Sequence, residues 1–166
     1  MYLPKLTLHG TAGPHFGTGS LTGITILVCY TYVVPAHSSM RDLLPAAVYD
    51  QLTGIGGAAQ HLLAFKQHLP FLRAAGATRV IGVSTEAPER QLQVTSELQL
   101  TFPLISDSGL QLSSSMGLPR MQLQGHTVLK EAVLILARSR VEHVFYPMYP
   151  PAESAVRVKQ WLQHCS

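Results

Sequence analysis

Two thiols are the strongest nucleophiles this chain could offer, Cys29 and Cys165. Cys29 lies inside the apolar run Ile24–Val34 and Cys165 sits next to the last residue. Two cysteines so placed make no disulfide framework. A thiol on an apolar strand is desolvated, which raises its pKa and leaves it inert, so a relocated redox role for Cys29 is the weaker reading. The eight histidines would make the charge sensitive to mildly acid pH. His9, His15, His126 and His143 show no HxH or HExxH spacing, so no metal site is expected. There is no CxxC, no GxGxxG after a strand and no phosphate-cradling GxxxxGK, which removes nicotinamide, flavin and nucleotide chemistry. The expectation is a chain without a cofactor.

The elements that would position these groups follow from the pattern. Leu6–Thr11 and Ile24–Tyr32 read as strands, the second β-branched and buried. Residues 33–57 hold Pro35, Pro45 and a Gly54-Ile55-Gly56-Gly57 cluster and read as a long loop with room for a short turn of helix. A helix is predicted from Ala58, because Ala58, Leu62, Phe65, Leu69 and Leu72 recur at helical spacing on one face. Pro70 should kink it and Gly76 should end it. Thr78–Ser84 reads as a strand, and Pro88 opens a helix to about Leu98. Pro103–Ser106 is a short strand, with Asp107 placed to cap the small helix after it. Val128–Ala137 and Val141–Tyr146 read as a hairpin, and Glu153–Gln163 as a closing helix facing inward with Ala155, Val158 and Leu162. This order predicts an α/β fold, a central mixed sheet with helices on both faces. The 166 residues fit one domain, 1–166.

Composition excludes several roles. Hydrophobic residues make up 46% and charged residues 13%, about half the ~25% of ordinary soluble domains. A surface so poor in charge implies that part of it is covered by another subunit, so a homodimer or other oligomer is expected. The net charge of +3 comes from scattered Lys and Arg, which gives no basic stripe for nucleic acid. No apolar run approaches the ~18–20 residues of a membrane span, and the start lacks the regions of a signal peptide. A cytoplasmic protein is expected.

The segment from Gly57 to Thr85, GAAQHLLAFKQHLPFLRAAGATRVIGVST, resembles the core of the peroxiredoxins, closest to their bacterioferritin-comigratory or Q type. In that group a Thr-Pro-Gly-Cys-Thr turn opens a helix, a Phe follows seven residues after the Cys, and a strand ends in Gly-Val-Ser. Here Phe65 lies seven residues after Ala58, and Gly82-Val83-Ser84 ends the strand. Phe102-Pro103-Leu104-Ile105-Ser106-Asp107, His143-Val144-Phe145-Tyr146-Pro147, Pro150-Pro151 and Trp161-Leu162 extend the resemblance over Leu3 to Leu162. It implies a thioredoxin-like fold. It also implies a degenerate member, because Ala58 matches the peroxidatic cysteine, Ile55 the threonine and Glu131 the arginine. Leu63 stands where a resolving cysteine would lie five residues on. A peroxidatic thiolate needs a helix N-terminus and a neighbouring cation, and a glutamate in place of the arginine reverses that charge.

The resemblance places the candidate site around Ala58. Helix N-terminal amides at Gly57, Ala58 and Ala59 would still offer an anion or oxyanion cradle without a thiol. Glu131, His61 and Asp50 are the acid–base candidates, Glu131 desolvated with a raised pKa. Tyr30, Tyr49 and Ile55 would wall the pocket, made apolar for a small organic ligand. The competing readings are a solvated His61 on the helix surface, Glu131 paired only with Lys130 or Arg120, and a rigid Tyr146–Pro151 connection. Three functions follow in order: a repurposed non-redox enzyme or binder, an inactive interaction module, and a residual thiol peroxidase using Cys29.

Overall fold

In chain order the described residues form β1 (Thr7–Gly10), β2 (Gly13–Gly17), β3 (Ile24–Cys29), helix α1 (Thr53–Ala74), β4 (Arg79–Ser84), α2 (Pro88–Leu98), β5 (Leu104–Ser106) and α3 (Gln111–Met116). There follow β6 (Arg120–Leu123), β7 (His126–Leu129), β8 (Ala132–Ala137), β9 (Arg140–Phe145) and α4 (Ser154–Cys165), entered through a 3₁₀ turn at Pro151–Glu153. The computed structural model describes residues 1–33, 53–148 and 150–165, with the backbone alone at residues 20 and 53–56. Seven strands make one mixed sheet in the order β2-β1-β5-β4-β3-β8-β9, and β6 and β7 form a separate hairpin. The three inner strands β3, β4 and β5 run parallel, while β8 returns antiparallel to β3.

Strand β3 is apolar apart from Thr25 because it is covered on both faces, as central parallel strands are. Its side chains alternate with period two. Ile26, Val28 and Tyr30 join one core with Leu62, Phe65, Leu72 and Val158 from α1 and α4. Leu27 and Cys29 join the other with Ile81, Val83, Leu112 and Leu134. The predicted stripe Ala58, Leu62, Phe65, Leu69 and Leu72 is buried. Gly76 ends α1 with φ +110°, its amide bonding Arg73 O while Ala77 N reaches Leu72 O. Asp107 caps α3, its two carboxylate oxygens accepting from Leu112 N at 2.9 Å and Ser113 N at 2.8 Å.

Three boundaries differ from expectation. Helix α1 begins at Thr53, so Gly54, Gly56 and Gly57 are helical and the loop does not reach residue 57. Glycine costs about 1 kcal/mol in a helix interior, which argued for a loop. Packing decides at Gly57, where a Cβ would stand 2.8 Å from Pro151 Cγ. Strand β2 is missed because Gly13, Pro14 and Gly17 mask a short edge strand. The run Val128–Ala137 is two strands, broken at Lys130-Glu131, and β7 pairs back onto β6 through a turn with positive φ at Gln124 and Gly125. Among the described residues, no helix is long and apolar enough to cross a membrane.

Candidate functional site

The carboxyl ends of parallel strands are where open α/β sheets place their chemistry, and two buried polar centres meet there. The first is built by β3 and β8. Their register sets Cys29 opposite Ala132, so Glu131, one residue before β8, lies level with the chain as it leaves β3. Glu131 is buried, and its Oε1 accepts a hydrogen bond from Thr31 N at 3.0 Å. Its Oε2 meets His61 Nδ1 at 2.5 Å.

His61 faces inward from α1, one turn before Phe65, whose ring it meets edge-on at 5.6 Å between centroids. The imidazole is 0% exposed, and its Nε2 has no hydrogen-bond partner among the described residues. With Nδ1–H donating to the carboxylate, a neutral imidazole presents Nε2 as the proton acceptor. A carboxylate-oriented imidazole with a free second nitrogen is the arrangement of a general acid–base pair.

The second centre surrounds Glu86, in the turn between β4 and α2. Ser84 Oγ donates to Glu86 Oε1 at 3.1 Å, and Arg90, one helical turn on, places Nε 3.8 Å from Oε2. Burial pushes the Glu86 carboxyl above its ordinary value, against the opposing pull of Tyr30, Ser84, Arg90 and the Val33 amide. Tyr30 is fully buried, and burial, then the Glu86 charge, holds its phenol well above the usual range. Its hydroxyl lies beside this group without an aligned hydrogen bond. Gln91 closes the cluster, its Nε2 donating to Ser84 Oγ and Ile105 O. In front of Glu86 opens a cavity of about 750 Å³, lined among others by Tyr32, Arg90, Leu110, Leu123 and Val128.

The structure thus joins two of the predicted site residues, His61 and Glu131. His61 is buried rather than solvated, because the inward stripe of α1 is wide enough to include it. Glu131 pairs with neither Lys130 nor Arg120; the Arg120 side chain instead reaches Ser114 Oγ. Gly57 packs on Pro151, Ala58 belongs to the core and Ala59 is half-buried. Because α1 starts at Thr53, the amides of Ala58 and Ala59 lie within the helical ladder rather than free at its start. Tyr49 and Asp50 lie outside the described residues, as does the side chain of Ile55. None of His61, Glu131, Tyr30, Gly57, Ala58 and Ala59 lines the cavity. Sequence reasoning passed over Glu86. Its signal was an acidic residue just past the end of a parallel strand with an arginine four residues on. Among the described residues no group of three or more His, Cys, Asp or Glu is arranged to hold a metal.

Cys29 is fully buried and Cys165 exposed. Burial, then the charges of Glu131 and Asp107, push the Cys29 thiol far above its ordinary range.

Comparison with known proteins agrees with this architecture. Peroxidoxin BcpB from Mycobacterium tuberculosis superposes with a TM-score of 0.75 at 15% identity, covering 100% of this chain and 96% of that one. A cysteine mutant of Xylella fastidiosa PrxQ gives 0.72 at 16%, covering 100% and 98%. The Xanthomonas campestris bacterioferritin comigratory protein, which has alkyl peroxide reduction activity, gives 0.66 at 18%, covering 96% and 91%. At such identities these likenesses establish the thioredoxin-like peroxiredoxin fold. A comparison with curated proteins finds no match. The AhpC/TSA family model matches residues 55–144, more than half of the chain, and the protein belongs to the AhpC/TSA family.

Proposed function

We propose that this AhpC/TSA-family chain does not reduce peroxides through a thiol, and that it binds and turns over a small organic molecule at the His61–Glu131 pair. The resemblance to Q-type peroxiredoxins puts Ala58, Ile55 and Glu131 at the cysteine, threonine and arginine positions. No cysteine occurs anywhere in α1, and Cys29 is too deeply buried to form a thiolate. The observation that carries the reading is the buried imidazole held by a carboxylate at 2.5 Å, its Nε2 without a partner among the described residues. A buried polar atom without a partner costs about 1–3 kcal/mol, and such costs concentrate where a ligand completes the network.

In this reading the Thr31 amide fixes Glu131, and Glu131 fixes the imidazole and its tautomer. Nε2 takes a proton from the substrate, the carboxylate stabilises the imidazolium that forms, and the proton is returned to the product. No cofactor enters the scheme.

A second reading, an interaction module, draws on the complete burial of His61 and Ala58, which would make the pair an internal strut. Two measurements separate the readings. Peroxide consumption with a thiol reductant is expected at background for the protein and for Cys29→Ser alike. A fragment screen followed by NMR of the His61 ring is expected to give ligands that shift Nε2 and are lost in Glu131→Gln. If no fragment reaches the ring while the protein self-associates through a defined surface, the strut reading replaces the acid–base one.

A further inference from the structure

The chain that leaves β3 runs past the end of the sheet ladder with Tyr30, Thr31 and Val33 all buried. Tyr30 N still bonds Val83 O, at 3.1 Å. Beyond it the buried backbone needs other partners, and two side chains supply them. Thr31 N donates to Glu131 Oε1 at 3.0 Å, and Val33 O accepts from Arg90 Nη2 at 2.8 Å. Only Tyr32 separates the two anchors. Arg90 is in turn shared between two carboxylates in different surroundings. Its Nε lies 3.8 Å from Glu86 Oε2, and its Nη1 donates to Glu97 Oε1 at 3.2 Å. The Glu86 side chain is 2% exposed and the Glu97 side chain 38%.

The charge on Glu86 therefore decides how Arg90 is held. An ionised Glu86 pulls the guanidinium inward from a desolvated position, where the attraction between charges is strongest. A protonated Glu86 leaves only Glu97, a partner toward solvent and a weaker one. We infer that Glu86 is a pH sensor for the His61–Glu131 pair. Its protonation loosens Arg90 from the Val33 carbonyl, and the resulting shift of residues 30–33 weakens the Thr31 bond to Glu131. That this would regulate a reaction rests on the acid–base reading of the pair. Among the described residues, the titratable and charged groups around Glu86 are Tyr30 from the exit of β3, Arg90 from α2, and His126 of β7, which lines the same cavity. Around Glu131 they are His61 from α1 and Cys29 from β3. Burial keeps Tyr30 and Cys29 protonated throughout. Burial also brings the Glu86 titration closer to neutral pH than that of an exposed carboxyl.

The test follows the full chain by NMR from pH 4.5 toward neutrality. Glu86 is read at its carboxyl carbon, the segment at the Thr31 and Val33 amides, and the pair at the His61 ring nitrogens. All of these are expected to inflect at the pH where the Glu86 carboxyl titrates. Protection of the Thr31 amide from exchange, corrected for the intrinsic effect of pH, should be about tenfold lower on the acid side, the size of one net hydrogen bond. Glu86→Gln should remove the inflection and hold the Thr31 and His61 signals at their acid-side positions, with circular dichroism unchanged. Arg90→Met keeps the carboxyl and removes the relay, so Glu86 should still titrate while Thr31 and His61 no longer respond. A Glu86 titration that leaves Thr31 and His61 unmoved overturns the inference. So does a response at those residues that survives in Glu86→Gln or in Arg90→Met. No ligand is used, so failure here leaves the fragment test of the acid–base reading untouched, and failure of that test leaves the coupling standing.

Discussion

Replacing Glu131 with leucine leaves two buried polar groups without partners, the Thr31 N–H and the His61 Nδ1. Each orphan costs about 1–3 kcal/mol, with the charge-assisted partner at the upper end. Breaking a buried pair by removing one member costs about 3–5 kcal/mol in comparable settings, and Glu131→Leu is expected in that range. His61→Leu leaves a buried carboxylate with a single backbone donor and is expected to cost a similar amount. The double variant His61→Leu/Glu131→Leu leaves only the Thr31 amide unpaired and removes two desolvated polar groups. It should fall within about 2 kcal/mol of the parent, or exceed it. Urea denaturation of the four proteins gives the cycle, with equal m-values as the check on two-state behaviour. The double variant should recover at least about 3 kcal/mol relative to additive single costs. Single costs below about 1 kcal/mol that add linearly would refute the reasoning, because the pair would then be exposed to water or unformed in solution.

Glu86 binds its proton more tightly in the folded chain than in the unfolded one. Its stabilising contribution is therefore complete below the ordinary carboxyl value of 4.5 and is lost as pH rises through the raised native value. Glu86→Gln removes that dependence, so denaturation midpoints of parent and variant should diverge toward neutral pH, with the variant the more stable. A Glu86→Gln midpoint that parallels the parent between pH 4.5 and neutrality would contradict this. Thiol labelling of the native protein should modify Cys165 rapidly and Cys29 only after unfolding in guanidinium, since the first is exposed and the second buried. Gly57→Ala would gain up to about 1 kcal/mol of helix propensity. The methyl would also stand 2.8 Å from the Pro151 ring, and overpacking costs about 1–3 kcal/mol. A lower melting temperature is expected, and an unchanged or higher one would show that the turn at Pro151 yields.

The parts of the fold that were legible were those with an unbroken period or an unambiguous stop. The α1 stripe, Gly76, Pro88 and Asp107 each say one thing locally, and the structure agrees. The resemblance reached the architecture because Gly82-Val83-Ser84 and Phe102–Asp107 lie on neighbouring strands β4 and β5, whose contacts depend on backbone spacing more than on the active cysteine. The start of α1 was not legible, because three glycines spell a loop locally and the contact that requires Gly57 is with Pro151, ninety-four positions away. Likewise Glu131 and His61 were each marked by their place in the motif. That they touch across 70 positions is a property of β8 lying beside β3 under the helix, which no local pattern carries. Glu86 stayed hidden because a lone acid after a strand reads as a solvated turn until burial and Arg90 are known.

Four residues connect the two polar centres. Thr31 gives its amide to Glu131, Val33 gives its carbonyl to Arg90, Tyr30 lies against the Glu86 group, and Tyr32 lines the cavity. The chain leaving β3 is thus held on one side by the His61–Glu131 pair and on the other by the Glu86–Arg90 pair. Neither pair contributes what apolar residues of the same volume could contribute to stability, since buried ions repay their desolvation only with complete hydrogen bonding. Among the described residues no partner is seen for His61 Nε2 in one pair or for Glu86 Oε2 and Arg90 Nε in the other. The acid–base role proposed for His61 rests on this arrangement at the carboxyl end of the sheet, where open α/β sheets place their ligands, and the fragment screen on its ring decides between that role and an internal strut.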